Sequence, residues 1–101
     1  MIKAITSHGT YYLIDFEKNR ALRVKGLHSH EIIPNNVWFA FSDVCSFDRN
    51  FDGNFIDALR EGINIGYSMY FQLRSYERVP WIITSDVVSI EEVEEDVRSG
   101  I

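Results

Sequence analysis

Between Ser68 and Leu73, Met69, Phe71 and Leu73 alternate with Ser68, Tyr70 and Gln72, and Arg74 follows in the same phase. A period of two belongs to a strand with one buried face. After a polar turn the chain returns as Val79-Pro80-Trp81-Ile82-Ile83-Thr84-Ser85-Asp86-Val87-Val88-Ser89-Ile90, rich in β-branched and aromatic residues. The two limbs predict a hairpin over 65–90, so the chain must build a sheet around it. Pro80 cannot donate to a ladder, which places the start of the return limb at an edge.

The N-terminal third adds three more predicted strands. Ile2 to Thr6 is the first, and the turn Ser7-His8-Gly9 follows, with Gly9 free to take positive φ. In the second, Thr10 to Asp15, Tyr11 and Leu13 share one face while Tyr12 and Ile14 share the other. Both faces are apolar, so this strand is expected to be central. Asn19, which tolerates the left-handed region, closes the next turn. In the third, Arg20 to Lys25, Leu22 and Val24 are expected to face in, and Ala21, Arg23 and Lys25 out. Short connections make the three a meander. Leu27 to Asn36 is irregular, with Pro34 barring a helix. Val37 to Phe41 reads as a buried strand, although a helix start shares its pattern.

Two helices are expected. Asn54 to Glu61 offers Asn54 as an N-cap, a stripe of Phe55, Ile56, Leu59 and Ile63, and a stop at Gly62. Ser89-Ile90-Glu91-Glu92 has capping-box form, and Ile90, Val93 and Val97 recur at helical spacing toward Gly100. The predicted fold class is therefore α+β, mainly β, as a single domain over 1–101. It is a small twisted antiparallel sheet that can curl toward a barrel, with one short helix and a C-terminal helical tail.

At 101 residues with a hydrophobic fraction of 46%, the chain can bury a core without staples. Its apolar runs are too short to span a membrane. Met1-Ile2-Lys3-Ala4 runs straight into a strand pattern with no signal peptide, and Cys45 is the only cysteine; both fit a cytoplasmic location. The formal net charge of −5 and the scattered basic residues disfavour nucleic acid. Acid gathers at the end in Glu91, Glu92, Glu94, Glu95 and Asp96, which suits either solubility or a basic partner surface.

Several strings could carry chemistry. Asp48, Asn50, Asp52 and Gly53 fill the first, third, fifth and sixth places of a calcium loop, where alternate oxygens converge on a hard cation. The twelfth place, which calls for a bidentate carboxylate, is Leu59. The plain alternative is a polar turn ahead of a helix. His28-Ser29-His30-Glu31 supplies two zinc donors, and His8 or Cys45 would have to complete a tetrahedron. Cys45 lacks any flanking nucleophile signature and reads as a small packed residue. Asp43, Asp48, Asp52, Asp57 and Glu61 could in principle hold an acid–base pair, but nothing in the sequence fixes their geometry. Tyr67, Tyr70 and Tyr76, with Trp81 nearby, can leave an aromatic patch outside the hairpin, and aromatic residues anchor protein interfaces.

The strings Thr10-Tyr11-Tyr12-Leu13-Ile14-Asp15, Arg20-Ala21-Leu22-Arg23-Val24-Lys25-Gly26, Gly66-Tyr67-Ser68-Met69-Tyr70 and Ile83-Thr84-Ser85-Asp86-Val87 resemble small single-domain proteins of actinobacterial phages and prophages. The resemblance covers both ends of the chain and leaves out the middle, where Val37 to Ile63 is longer and more aromatic. It implies an origin in a phage or prophage and action in a bacterial cytoplasm. It transfers no functional residue. The reading that follows is a non-enzymatic protein-interaction module that engages a host or phage protein, or a second copy of itself. Tyr67, Tyr70, Tyr76 and the acidic residues Glu91, Glu92, Glu94 and Glu95 are its expected interface. A calcium-stabilised domain and a small enzyme with an acid or histidine site are the alternatives.

Overall fold

The computed structural model describes residues 1–24, 35–74 and 80–94. Among them run β1 (Ile2–Thr6), β2 (Tyr11–Asp15), β3 (Arg20–Val24), β4 (Trp38–Phe47), β5 (Leu59–Arg60), β6 (Ser68–Leu73) and β7 (Trp81–Glu92). Their order is β3-β2-β1-β7-β6-β4-β5, and a further pairing of β3 with β4 closes the ring. All pairings are antiparallel. Six strands thus form a closed up-and-down barrel, and β5 extends the edge of β4 that β3 leaves. Closure removes the open edges of a flat sheet.

Two long strands close it, because each pairs with its two barrel neighbours along different parts of its length. β4 pairs with β3 at Trp38 to Ala40 and with β6 from Phe41 onward. β7 pairs with β6 through Asp86 and with β1 from Val87. Each turns at a register shift. Ser42 is the extra residue in β4 and Val88 in β7, and a third shift lies opposite Met69. Bulges bend a strand and sharpen its twist. At the third, the Met69 N–H donates to Thr84 Oγ1 at 2.9 Å, so the broken ladder leaves no buried donor idle.

The predicted alternation in β6 is realised: Met69, Phe71 and Leu73 are buried in the barrel. Phe71 sits among Phe39, Phe41 and Tyr12, with ring centroids at 5.4, 5.5 and 5.9 Å. The central role predicted for β2 also holds. Tyr12 and Ile14 point inward, while Leu13 joins Leu22 and Val24 in an outer cluster with Met1, Tyr11, Trp38 and Val93. Gly9 and Asn19 take the positive φ their turns require, at 83° and 50°.

The facing expected of β3 is reversed. Leu22 and Val24 lie in the outer cluster, and Ala21 and Arg23 face the interior. Ala21 pairs with Phe39, where a small side chain leaves room for the ring. Arg23 pairs with Tyr12 and donates from Nη1 to Asn35 Oδ1, so its charge is buried with partners. Burial raises the Tyr12 phenol above its ordinary range, against the opposing pull of the Arg23 charge and hydrogen bond.

Neither predicted helix forms as expected among the described residues. Over 54–61 there is a single 3-10 turn, Ile56–Ala58, and Leu59 is already extended in β5. The barrel fills its own core with strand residues, so Phe55 and Ile56 of the expected stripe stay exposed instead of seating a helix. At the other end, Ser89 to Glu92 continue β7 and pair with Ile5 to Ile2 of β1. Ile90 packs against the core. The long-range ladder outweighs the local capping signal. The remainder of the expected tail, 95–101, lies outside the described residues.

The β2–β3 turn is tied by Asp15. Its Oδ1 accepts the Glu17 and Lys18 N–H groups, each at 3.1 Å, and Oδ2 accepts Arg20 Nε at 3.4 Å. Burial pushes this carboxyl up, but the hydrogen bonds from Lys18, Arg20 and Glu17 with the Arg20 charge outweigh it, and the pKa lies below its ordinary value. The resulting stability is present above the unfolded-state value of about 3.9 and is lost as pH falls through the folded one. Asp15→Ala should therefore cost roughly 1–3 kcal/mol at neutral pH and less in acid, read by denaturant unfolding at both. An equal cost at both would show that the charge contributes nothing.

Candidate functional site

The outer face of β4, β6 and β7 carries Cys45 opposite Tyr70, Asp43 opposite Gln72, and Gln72 opposite Trp81. Tyr70 packs diagonally on Trp81, with centroids 6.1 Å apart and planes at 26°. Phe55, from the 48–58 loop, meets Tyr70 edge-on at 5.4 Å and Phe47 at 5.1 Å. The result is one continuous row of rings, Phe47–Phe55–Tyr70–Trp81. Trp81 and Phe55 are each 44% exposed, and Ile56 beside them is 78% exposed. Leaving such groups in water forgoes about 25 cal/mol for every Å² that a partner would cover.

Three strands of a closed barrel hold this row, so its geometry exists before any partner arrives. The loop reaches it through fixed bonds. Asp48 N–H donates to Ala58 O at 2.9 Å, and Ala58 is buried. Arg49 Nε donates to Ser68 Oγ at 2.7 Å, pinning the loop to β6.

Cys45 lies half-buried within the patch. Burial raises its thiol pKa, and the Asp43 carboxylate raises it further. Burial likewise raises the Tyr70 phenol, with Cys45 adding to it. A protonated thiol is a poor nucleophile, which suits packing better than catalysis. Asp43→Asn should speed Cys45 alkylation at neutral pH, because one of the two causes of the shift is gone. A rate equal to wild type would assign the whole shift to burial.

Of the residues expected at an interface, Tyr70 stands in the row. Tyr67 is half-buried and joins no ring pair among the described residues, and Tyr76 lies outside them. Glu91 and Glu92 pair with Lys3 and Ile2 at the far end of β7. Ten residues of strand separate Trp81 from Glu91, roughly 33 Å along the chain. The aromatic and acidic features that sequence grouped together therefore occupy opposite ends of one strand. Glu94 is exposed beyond it, and Glu95 lies outside the described residues. Phe47 and Phe55 were missed because Phe47 reads as loop flank and Phe55 as a helix stripe.

Asp48 Oδ1 accepts the Asn50 N–H at 3.0 Å, an Asx turn, while Asn50 and Asp52 are exposed. Among the described residues no group of three or more His, Cys, Asp and Glu side chains is arranged to hold a metal. His28 and His30 fall outside those residues. No helix among the described residues is long and apolar enough to cross a membrane. Comparison of the chain with protein-family models, curated proteins and solved structures finds no match.

Proposed function

We propose that this chain is a non-enzymatic protein-binding module whose partner seats on the outer aromatic row of β4, β6 and β7. The observation that carries the reading is the exposed, pre-formed series Phe55–Tyr70–Trp81 on a rigid barrel wall. Rigid aromatic anchors lose little conformational entropy on binding and dominate interface energetics.

The partner surface is apolar with Lys or Arg at its margin. Asp43 is exposed on the same face, and the net charge is −5. Ring faces also attract cations. Glu91, Glu92 and Glu94, remote from the row, act on the encounter rate rather than on the seated complex. The same net charge opposes pairing with a second copy.

The resemblance to phage and prophage proteins makes a bacterial lysate the place to seek the partner. Tagged wild type, Trp81→Ala, and a triple Glu91→Gln, Glu92→Gln, Glu94→Gln variant are compared, and the captured protein is then purified and titrated. Loss with Trp81→Ala and retention of affinity with the triple variant is the expected pattern. A partner held equally by wild type and Trp81→Ala would overturn the reading. Concentration-dependent dimers in light scattering that Trp81→Ala abolishes would replace the foreign partner with a second copy.

A further inference from the structure

An open pocket of about 140 Å³ lies where the β1–β2 turn, the 48–58 loop and β7 meet. Ser7, His8, Arg49, Ser85 and Asp86 line it. The volume is several times the roughly 30 Å³ that one water occupies. We propose that it binds a protonated oxyanion, namely a phosphate group that still carries a P–OH.

The inference rests on the count of donors and acceptors that the fold leaves facing this space. Arg49 Nε donates to Ser68 Oγ at 2.7 Å and Nη2 donates to Thr84 O at 2.9 Å. These bonds fix the guanidinium, while Nη1 makes no hydrogen bond among the described residues. Ser68 Oγ in turn donates to Asp86 Oδ1 at 3.0 Å. Among the described residues no salt bridge joins Arg49 to Asp86, so the serine stands between the two charges. Across the pocket His8 Nδ1 and Ser85 Oγ lie 2.7 Å apart. The Ser7 N–H donates to Asp86 O at 2.8 Å and holds the turn against β7.

Arg49 Nη1, the Ser7 hydroxyl and the His8–Ser85 pair are therefore the donors, and Asp86 Oδ2 is the charged acceptor. Donors in excess with one carboxylate suit an anion that both accepts and donates. A protonated phosphate meets the guanidinium with one oxygen and gives its O–H to Asp86. Sulfate has no proton to give, and its oxygen would face the carboxylate unpaired. A divalent cation is disfavoured by Arg49 and by a single carboxylate. The His8–Ser85 distance is also that of a nucleophile and its base. Asp86 Oδ1 is occupied by Ser68, however, and among the described residues no side chain other than Ser85 holds the imidazole, so the geometry points to binding.

The phosphate can be the free ion or a phosphomonoester, and the test separates them. Amide spectra of the whole chain are recorded in mildly acidic buffer against inorganic phosphate, sulfate and phosphoserine at matched ionic strength. Saturable shifts confined to Ser7, His8, Arg49, Ser85 and Asp86 are expected with phosphate, with sulfate at least about tenfold weaker. Tighter binding of phosphoserine assigns the site to a monoester, and tighter binding of inorganic phosphate assigns it to the free ion. Ser85→Ala should weaken phosphate about tenfold, and Asp86→Asn should abolish the preference over sulfate. His8→Ala, in an exposed turn, replaces Ser85→Ala should that variant not fold. No saturable shift with either phosphate, or equal binding of phosphate and sulfate, overturns the proposal.

Discussion

Phe71→Ala should lower the stability of the domain by about 3–5 kcal/mol. The ring is fully buried and touches three other aromatic rings drawn from two further strands, β2 and β4. Removing it forfeits the transfer free energy of the side chain. It also leaves a cavity among Tyr12, Phe39 and Phe41, which the closed ladder prevents from collapsing. A domain of this size has roughly 5–15 kcal/mol in total, so much of the margin goes. The melting temperature should fall by at least about 12 °C. Tyr70→Ala is the natural control, one residue away and on the opposite face. It loses ring contacts at the surface, worth about 0.5–1.5 kcal/mol beyond area. Comparable losses at both positions would contradict the facing of β6.

Trp81→Ala should weaken partner binding by about 30-fold or more, the size of a central aromatic hot spot, while changing stability by about 1 kcal/mol or less. The split follows from its position. Trp81 begins β7 at the exposed end of the row and, among the described residues, touches one ring, Tyr70. Folding therefore leaves much of its surface for a partner to bury. Phe55→Ala should follow the same pattern with a smaller effect, because Phe47 and Tyr70 already cover two of its sides. The check is a titration of the purified partner beside denaturant unfolding of each variant. A stability loss that matches the affinity loss would make Trp81 a structural residue only.

Strand positions were legible where two signals agreed. In β6 the alternation and the β-rich return limb point the same way, and in β2 two apolar faces require cover on both sides. Local signals failed where long-range pairing decided. Ser89 to Glu92 have capping-box chemistry, yet the free edge of β1 needs partners and takes them. Phe55, Ile56 and Leu59 have helical spacing, yet Leu59 is drawn into β5 against β4 and Phe55 onto the ring of Tyr70. Arg23 looked like an outward charge because its partners, Tyr12 across the ladder and Asn35 twelve positions on, are far apart in sequence. The candidate site was half visible. Tyr70 and Trp81 stood out by residue type, while Phe47 and Phe55 join them only through the 48–58 loop. The pocket lined by His8 and Ser85 was invisible, since the two are 77 positions apart.

A partner that covers the outer wall of β4, β6 and β7, as proposed, must also cover Cys45. Cys45, the only cysteine, lies in that wall opposite Tyr70 and reports on it directly. The measurement is the alkylation rate of Cys45 in the free protein and in the presence of saturating partner. A seated partner should slow it strongly, and with Trp81→Ala the partner concentration that gives half of the slowing should rise by about 30-fold or more. An unchanged rate in a complex shown to be saturated would place the partner elsewhere and contradict the account.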